Sequence, residues 1–329
     1  MAKSYCSLLF LLITGVFFSN YTYGQLKWQN ADLLFQPLPS SVHIYYTEEK
    51  IDTSPFRAYY LVADLKDKKL AFTVDTSRDR RLTPSKFYER NNKALVVVNT
   101  TFFSYETNRS LNAVIKNGKL VAYNQHTIAG KGKDTFTYRH PLGSAIGISK
   151  KREVDVAWLY TDSLERFPYA SQWEFAAFKD SFPSHDLKYY LYATSIGSHA
   201  MKTSLSKWKM QTAIGGGPVL LQNGEIKITN NEELKFAGKA INDKHPRTAI
   251  GYTAEGKLII LMVEGRNKNA GGATLHQLAA IFKDLGCQEA LNLDGGGSSC
   301  MLVNGKETIK VSDAAGQRPV PAVFLIKQQ

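Results

Sequence analysis

Three charged residues stand at the ends of apolar, strand-like segments of this 329-residue chain. Arg247 directly precedes the segment TAIGYT (248–253), Glu264 follows the apolar run 258–263, and Asp294 follows the run 290–293. A guanidinium can grip a phosphate or a carboxylate with two parallel hydrogen bonds. Two carboxyl groups can divide acid and base roles when their surroundings separate their pKa values, as in glycosidic cleavage. These residue types therefore indicate acid–base chemistry on an anionic or glycosidic substrate.

The elements around these residues predict that they meet at one edge of a sheet. The segment 257–294 reads as strand, helix and strand, which makes its two strands parallel and puts Glu264 and Asp294 on the same edge. If Glu255-Gly256 form the turn of the preceding hairpin, Arg247 lies directly opposite Glu264. A register shift of one residue would instead send those two side chains to opposite faces. A purely structural salt bridge between Arg247 and Glu264 fits the same pattern.

Further polar and glycine residues follow strand ends in the same way. The run Ala213-Ile214 leads into three glycines, and the run 290–293 leads into Asp-Gly-Gly-Gly-Ser-Ser. Consecutive glycines allow an anion to approach backbone N–H groups closely. The expected substrate-binding residues are Asn99, Arg266, Gly216, Gly217, Gly295, Gly296, Ser298 and His245. We expect no cofactor, although Glu264 and Asp294 together could hold a divalent cation.

Several common site signatures are missing from the sequence. The glycine runs lack the Gly-Lys-Ser/Thr of a phosphate-binding loop, and there is neither a Gly-x-Ser-x-Gly elbow nor zinc-ligand spacing. The net charge of +12 is spread along the chain without a nucleic-acid-binding signature, so we expect no nucleic acid partner. It fits an anionic polymer, a phosphorylated ligand or simply a solvated basic surface. Cys287 and Cys300 either form a disulfide or remain two buried thiols.

The pattern of turns and apolar residues predicts an α/β or α+β protein. We expect a mixed β-sheet with several hairpins, flanked by helices, in a single domain over 25–329. Two-residue hairpin turns are predicted at Asn117-Gly118, Asn223-Gly224 and Asn304-Gly305. Helical spacing and end signals predict helices over Thr274–Leu285 and Thr83–Asn91. Tyr189–Ala193 reads as a strand.

Residues 1–24 have the character of a signal peptide. Lys3 precedes the apolar run Leu8–Phe18, and small residues precede a cleavage position after Gly24. This run is shorter than the ~20 residues that span a bilayer, and no second long apolar segment follows. We therefore expect a secreted or periplasmic protein without a membrane span; the sequence does not fix its oligomeric state.

Four blocks of the sequence resemble the phosphodiester glycosidase family. They are AIGGGPVLLQNG (213–224), HPRTAIGY (245–252), VEGRNKNAGGATLHQLAAIFKDLGC (263–287) and LNLDGGGSSCMLVNG (291–305). The resemblance is strongest over 208–329, and VVVNTTFF (96–103) extends it upstream. The matching site positions are Asn99, Gly216, Arg247, Glu264, Arg266 and Asp294. The family often has Asp where Glu264 stands, and Gly where Thr100 follows Asn99.

This resemblance implies a secreted or lumenal hydrolase that cleaves the bond between a sugar's anomeric carbon and a phosphodiester. Arg247 would hold the phosphate, while Asp294 and Glu264 would supply acid and base or nucleophile roles in an order that the sequence does not fix. The partner would be a carbohydrate or a glycosyl phosphate. Two alternatives stay open, a glycosidase acting on non-phosphorylated surface polysaccharide and a carbohydrate-binding protein without catalysis.

Overall fold

A computed structural model describes residues 26–195 and 204–329 of the chain. The predicted signal peptide over 1–24 lies outside these residues. The protein is mainly β-structure, with 14% of residues in helices and 39% in strands. The expected α/β or α+β class is therefore confirmed only in its coarser form, a chain with both elements in which sheets dominate. In the part of the chain that the structure describes, no helix is long and apolar enough to cross a membrane.

The strands are short and are numbered here in chain order. The first group is β1 (Gln29–Asn30), β2 (Val42–Thr47), β3 (Lys50–Ile51), β4 (Ser54–Pro55), β5 (Ala58–Asp64), β6 (Leu70–Thr76), β7 (Val96–Asn99), β8 (Val114–Lys116), β9 (Lys119–Ala122), β10 (Ile128–Ala129), β11 (Tyr138–His140), β12 (Gly143–Ile148) and β13 (Val154–Tyr160). The second group is β14 (Tyr169–Ser171), β15 (Phe178–Asp180), β16 (Ser206–Lys207), β17 (Thr212–Gly215), β18 (Val219–Gln222), β19 (Glu225–Ile226), β20 (Arg247–Thr253), β21 (Lys257–Val263), β22 (Cys287–Asn292), β23 (Met301–Val303), β24 (Lys306–Glu307) and β25 (Ala322–Gln328).

Both predicted helices are present with their expected starts. The α-helices are α1 (Pro84–Arg90), α2 (Leu187–Ser195), α3 (Asn230–Glu233) and α4 (Leu275–Asp284). Thr274 caps α4 through a reciprocal pair of hydrogen bonds with Gln277, which satisfies two backbone donors that the first turn leaves free. The strand predicted at Tyr189–Ala193 is wrong, because these residues form the middle of α2. Aromatic residues favour strands, but that preference is weak and is readily overridden by packing.

The strands form three main sheets with antiparallel ladders. Their orders are β1-β2-β5-β21-β20-β22-β18-β19, β16-β14-β13-β12-β17-β8-β9 and β24-β23-β7-β25-β6. A small sheet, β10-β11-β15, and the pair β3-β4 complete the described set. The expected mixed sheet is thus corrected, because every ladder between described strands is antiparallel. Helix α4 does join two parallel strands, β21 and β22. Strand β20 lies between them, so they do not pair with each other.

The three Asn-Gly hairpin turns are confirmed. Each joins a strand to its neighbour through two residues, and both turn residues have positive φ, for example 53° at Asn117 and 68° at Gly118. Such turns match the right-handed twist of the flanking strands, which explains why Asn and Gly occupy them. These turns fix the register of three hairpins, each of which contributes its first strand to the core.

The core fills the space between the three main sheets and continues beneath α4. Ile260 and Leu291 of the eight-stranded sheet, Trp158 of the seven-stranded sheet and Phe324 of the five-stranded sheet belong to one buried cluster. Helix α4 covers the opposite face of the eight-stranded sheet, where Phe282 joins a second cluster. Because both faces of this sheet are covered, its strand ends are the part left to line a site.

Candidate active site

The predicted gathering of three charged residues at one sheet edge is confirmed in its topology. Strands β21 and β22 are both antiparallel to β20, so they run parallel to each other with β20 between them. Glu264 directly follows β21, Asp294 lies two residues after β22, and Arg247 begins β20. All three residues therefore lie at the same end of three neighbouring strands in the eight-stranded sheet.

The predicted pairing of Arg247 with Glu264 is wrong by one residue. Arg247 lies opposite Val263, because the hairpin turn contains three residues, Ala254 to Gly256, rather than two. Gly256 has a φ of 84° and completes the longer turn, a conformation that suits glycine. The shift sends the side chains of Arg247 and Glu264 to opposite faces, so neither the expected pair nor the alternative salt bridge forms.

The side chain of Arg247 lies instead beside the loop that carries Asp294. A methyl group placed on Gly295 would be 3.7 Å from the Arg247 Cδ atom. The guanidinium donates from Nε to the Ala273 carbonyl at 3.0 Å and from Nη2 to the Asp243 carbonyl at 2.9 Å. Burial, opposed by the negative charge of Asp243 and assisted by the positive charge of Arg266, lowers the pKa of Arg247 to about 10. An anion bound here would favour the charged form of the guanidinium and so raise the pKa of Arg247.

The main chain of Asp294 is fixed from a different sheet. Its N–H donates to the Thr100 carbonyl at 2.8 Å, and its carbonyl accepts from the Asn99 side-chain amide at 2.6 Å. The Asn99 amide oxygen in turn accepts from the hydroxyl of Thr248 at 2.8 Å. Asn99 is 0% exposed, so the structure places this expected substrate-binding residue behind the site, where it positions Asp294.

The carboxyl group of Asp294 has an unusual proton affinity. Burial raises its pKa to about 7, even though Ser298 and the positive charge of Arg318 act in the opposite direction. The residue keeps a partly exposed surface. The Ser298 hydroxyl is buried beside this carboxyl and has no other hydrogen-bond partner among the described residues. A carboxyl group that titrates near neutrality at a strand end is suited to proton transfer or to nucleophilic attack.

Cationic groups surround the glycine loop after Asp294. The Arg266 Nη2 atom lies 3.0 Å from the position of a methyl group on Gly296. Arg318 reaches the neighbouring Gly297 and is held by Asp313 through two hydrogen bonds of 2.7 and 2.8 Å. Sequence reasoning missed Arg318, because it lies in an irregular segment without a motif. Arg247, Arg266 and Arg318 together form what we call the cationic corner, and their guanidinium groups are suited to bind a phosphate.

His245 also belongs to this corner, as expected. Burial lowers its pKa, and the positive charges of Arg247 and Arg266 lower it further. Its Nδ1 atom is buried without a hydrogen-bond partner among the described residues. The neutral ring can therefore offer a hydrogen bond to a ligand without adding charge.

Glu264 reaches the predicted edge but has a different environment from Asp294. Its side chain is almost fully buried, with Oε1 accepting from the Asn267 amide at 3.1 Å and Oε2 from the Lys310 N–H at 3.0 Å. Arg57 lies 3.9 Å away. Both oxygens are thus engaged in joining the loop that contains Arg266 to the segment around Lys310.

The glycines of the first run serve close packing rather than open amide groups. The Gly216 N–H donates to the Ser144 carbonyl at 3.0 Å, and the Gly217 N–H donates to the Asn292 carbonyl at 2.8 Å. In the second run, the Gly296 N–H is bound to the Pro246 carbonyl, while the Gly295 N–H lowers the pKa of Asp294. Of these four N–H groups, only that of Gly295 is directed at the Asp294 carboxyl.

Replacing Gly216 with alanine is expected to destabilise the protein. The added methyl carbon would lie 2.3 Å from the Asn292 carbonyl oxygen, which is backbone and cannot move aside alone. We expect a loss of at least about 2 kcal/mol in the free energy of unfolding, measured by urea denaturation. Gly271→Ala is the matched control, because its nearest new contact would be 3.7 Å. Equal stability of the two variants would contradict this assignment.

A cleft of about 240 Å³ adjoins this corner. Phe102, Asn112 and Lys235 line it, and the Lys235 ammonium lies 5.6 Å from the centre of the Phe102 ring. Burial lowers the pKa of Lys235. Phe102 contacts Phe236, whose ring lies beneath the Arg247 guanidinium at 5.6 Å. The rings of Phe102 and Phe236 therefore lie between this cleft and Arg247, and Ile128 of the small sheet lines the cleft as well.

Two further sequence questions concern metal ions and cysteines. Among the described residues, His140, Asp180 and His185 form a group of three side chains with metal-ligand spacing. A divalent cation at Glu264 and Asp294 stays a prediction. Cys287 and Cys300 are both buried free thiols, which decides between the two alternatives that the sequence left open.

Over part of its length the chain is similar to known proteins. Residues 184–327 match a protein-family model described as phosphodiester glycosidase. The chain resembles that family, as the sequence blocks indicated. It is 31% identical to mouse N-acetylglucosamine-1-phosphodiester alpha-N-acetylglucosaminidase over 94 residues, which cover 26% of this chain and 18% of the mouse protein. It is 44% identical to the prophage-derived uncharacterized protein YomE of Bacillus subtilis over 73 residues, covering 22% of this chain and 11% of that protein.

Solved structures extend the likeness over most of the chain. The catalytic domain of zebrafish N-acetylglucosamine-1-phosphodiester alpha-N-acetylglucosaminidase, auto-inhibited by its pro-peptide, superposes with a TM-score of 0.55 at 20% identity, covering 93% of this chain and 89% of that one. A hypothetical protein from Synechocystis gives a TM-score of 0.57 at 14% identity, covering 91% and 63%. At these identities the structures establish a shared fold. The matched segments span less than a fifth of the length of these curated relatives.

Proposed function

We propose that the protein is a phosphodiester glycosidase, which hydrolyses the bond between a sugar's anomeric carbon and a phosphodiester. The observation that carries this proposal is the position of Asp294, a carboxyl with a pKa of about 7 beside the guanidinium groups of Arg247, Arg266 and Arg318. One group that can attack or activate water lies next to an anion-binding corner. That combination fits a substrate whose leaving group is a phosphate.

The proposal gives a separate task to each of the charged residues. Asp294 would act on the anomeric carbon, directly or through a water molecule, in its ionised form. Arg247 and Arg266 would bind the phosphate and stabilise the charge that develops as it leaves. A phosphate monoester is a weak base, so its departure needs little help from a general acid. Glu264, with both oxygens already hydrogen-bonded, would position the Arg266 loop rather than donate a proton.

The location of the protein is also part of this proposal. A signal peptide over 1–24 would direct the chain to the periplasm or outside the cell, where glycosyl phosphates of surface polymers are available. The cationic corner suits such anionic polymers. Fractionation of cells that express the full chain, with N-terminal sequencing of the mature protein, tests this point, and retention of residues 1–24 in the cytoplasm would contradict it.

A comparison of two substrates tests the proposed reaction. Turnover of the methyl phosphodiester of N-acetylglucosamine 1-phosphate should greatly exceed turnover of a neutral nitrophenyl N-acetylglucosaminide. Arg247→Gln should lower the first rate at least about 10²-fold and change the second much less, since it removes a phosphate contact. Arg109→Gln, an exposed arginine paired with Asp79, is the matched control. Faster turnover of the neutral glycoside would favour an ordinary glycosidase, and binding without product would favour a carbohydrate-binding protein.

A further inference from the structure

The small sheet β10-β11-β15 brings together three side chains that the proposed reaction does not use. His140 ends β11, Asp180 ends β15, and His185 lies just before α2. His140 is paired across the ladder with Phe178, so Asp180, two residues further along the same strand, projects from the same face. The turn after β15 then returns the chain to bring His185 alongside. Two histidines and one carboxylate thus converge from three separate elements.

The distances within this group are close to those of a metal site. His140 Nε2 lies 3.2 Å from one Asp180 oxygen, and His185 Nε2 lies 2.7 Å from the other. One potential ligand atom from each residue lies within 4.8 Å of the other two. Zinc bonds to nitrogen and oxygen at about 2.1 Å, so two ligand atoms of a tetrahedral ion are about 3.4 Å apart. Small side-chain rotations would bring all three atoms to that separation.

The surroundings of the histidines favour ligation through Nε2. The far nitrogen of His140, Nδ1, lies 3.2 Å from the Thr127 hydroxyl, an outer partner of the kind that orients metal-binding histidines. His140 is fully buried and stacks on Phe178, while the ring of His185 stacks on Tyr189 at 3.8 Å. Packing therefore holds both rings in place with Nε2 facing the carboxylate.

Asp180 leaves room for a further ligand. Its side chain is 22% exposed, whereas those of His140 and His185 are 0% and 8% exposed. In the absence of metal, each histidine can donate its Nε2 proton to one oxygen of Asp180. A zinc ion would take the place of these two protons, each of which would move to Nδ1 of its own ring, and would bond to the same three residues with water as its fourth ligand.

We propose that His140, Asp180 and His185 form a zinc-binding site that fastens β11, β15 and the start of α2 to one another. Two imidazoles and one carboxylate suit zinc better than calcium or magnesium, which prefer oxygen ligands. The small sheet contributes Ile128 to the wall of the cleft beside the cationic corner, and Pro141 directly follows His140 there. The ion would thus stabilise one wall of the cleft without touching the reactive Asp294.

Zinc titration of the full chain tests the proposal directly. The protein, freed of any polyhistidine tag and treated with a chelator, is titrated with zinc chloride in a calorimeter. We expect one zinc per chain with a Kd below about 1 μM, and a rise of a few degrees in Tm when zinc is added. Cobalt should give the visible absorption of a tetrahedral ion. Failure to bind a stoichiometric ion would overturn the proposal, whatever the outcome for glycosidase activity.

Single substitutions assign the ligands. His185→Gln and Asp180→Asn should weaken zinc binding at least about 100-fold and remove the zinc-dependent rise in Tm. His276→Gln, an exposed histidine on α4, should bind zinc like the wild type. Circular dichroism of each metal-free variant establishes that it is folded. Wild-type affinity in folded His185→Gln and Asp180→Asn would show that the ion binds elsewhere and would also overturn the proposal.

Discussion

Replacing Asp294 with asparagine is expected to lower turnover of a glycosyl phosphodiester at least about 10³-fold, because the reacting carboxyl would lose its charge and its basicity. Asparagine has nearly the same shape, and the main chain at this position is held by Asn99 and Thr100. The fold should therefore survive. Initial rates at pH 8, with the variant shown to be folded, provide the measurement.

The same substitution should make the protein more stable at pH 8. The folded-state pKa of Asp294, about 7, lies above the ordinary value of 3.8, so the wild type loses stability as the pH rises through that interval. Asparagine avoids this loss. Asp284→Asn, at the end of α4, is the matched control, because burial raises the pKa of that carboxyl too but far from the strand ends. Near-normal turnover of the phosphodiester by Asp294→Asn, or an equal loss of turnover in Asp284→Asn, would show that Asp294 is not the reacting group.

The pH dependence of the wild-type rate will distinguish the roles that Asp294 could play. If the carboxylate attacks or activates water, kcat/KM should rise with pH and level off above about 7, the pKa of this group. A proton donor would give the reverse profile.

Glu289→Gln is expected to stabilise the protein by about 3 kcal/mol at pH 8 and by much less at pH 4.5. Glu289 is buried between two sheets, where it accepts hydrogen bonds of 2.8 Å from the Tyr252 hydroxyl and the Val156 N–H. Burial raises its pKa from 4.5 to about 7, and the nearby Asp155 adds to this effect. Each tenfold difference in proton affinity between the folded and unfolded states corresponds to about 1.4 kcal/mol in the free energy of unfolding, so the raised pKa of Glu289 accounts for about 3 kcal/mol.

The direction of this effect follows from proton binding. The folded protein binds the Glu289 proton more tightly than the unfolded chain does. The contribution of this group to the free energy of unfolding is therefore greatest below pH 4.5 and declines as the pH rises to about 7. Glutamine keeps an oxygen that accepts both hydrogen bonds but carries no charge to bury. Urea unfolding at several pH values measures the difference, with the exposed Glu106→Gln as control. A difference between Glu289→Gln and wild type that does not grow with pH would refute the explanation.

Local signals in the sequence predicted much of this fold because their physics is local. Asn-Gly pairs require positive φ at both turn positions, and Thr274 with Gln277 caps its own helix. The gathering of Arg247, Glu264 and Asp294 at one edge also followed from chain connectivity alone. The class was harder to predict, since a strand–helix–strand unit does not show that another strand is inserted between its two strands.

The rest of the site depends on details that a sequence does not display. One extra residue in the turn at Gly256 moved Arg247 away from Glu264 and beside the loop of Asp294. Arg318 and Lys235 reach the site from irregular segments, so periodicity gave no sign of them. The amide groups of Gly216 and Gly217 are engaged by partners from distant strands, which only the assembled sheets reveal.

In the proposed reaction, the attachment of Asp294 to Asn99 and Thr100 would separate reactivity from recognition. The main chain of Asp294 is held by the end of a strand of the five-stranded sheet, whereas Arg266 and Arg318, which would meet the substrate, come from loops. Those loops can change in length and sequence while the carboxyl keeps its place. A single scaffold of this kind can therefore acquire new sugar preferences without redesign of its chemistry.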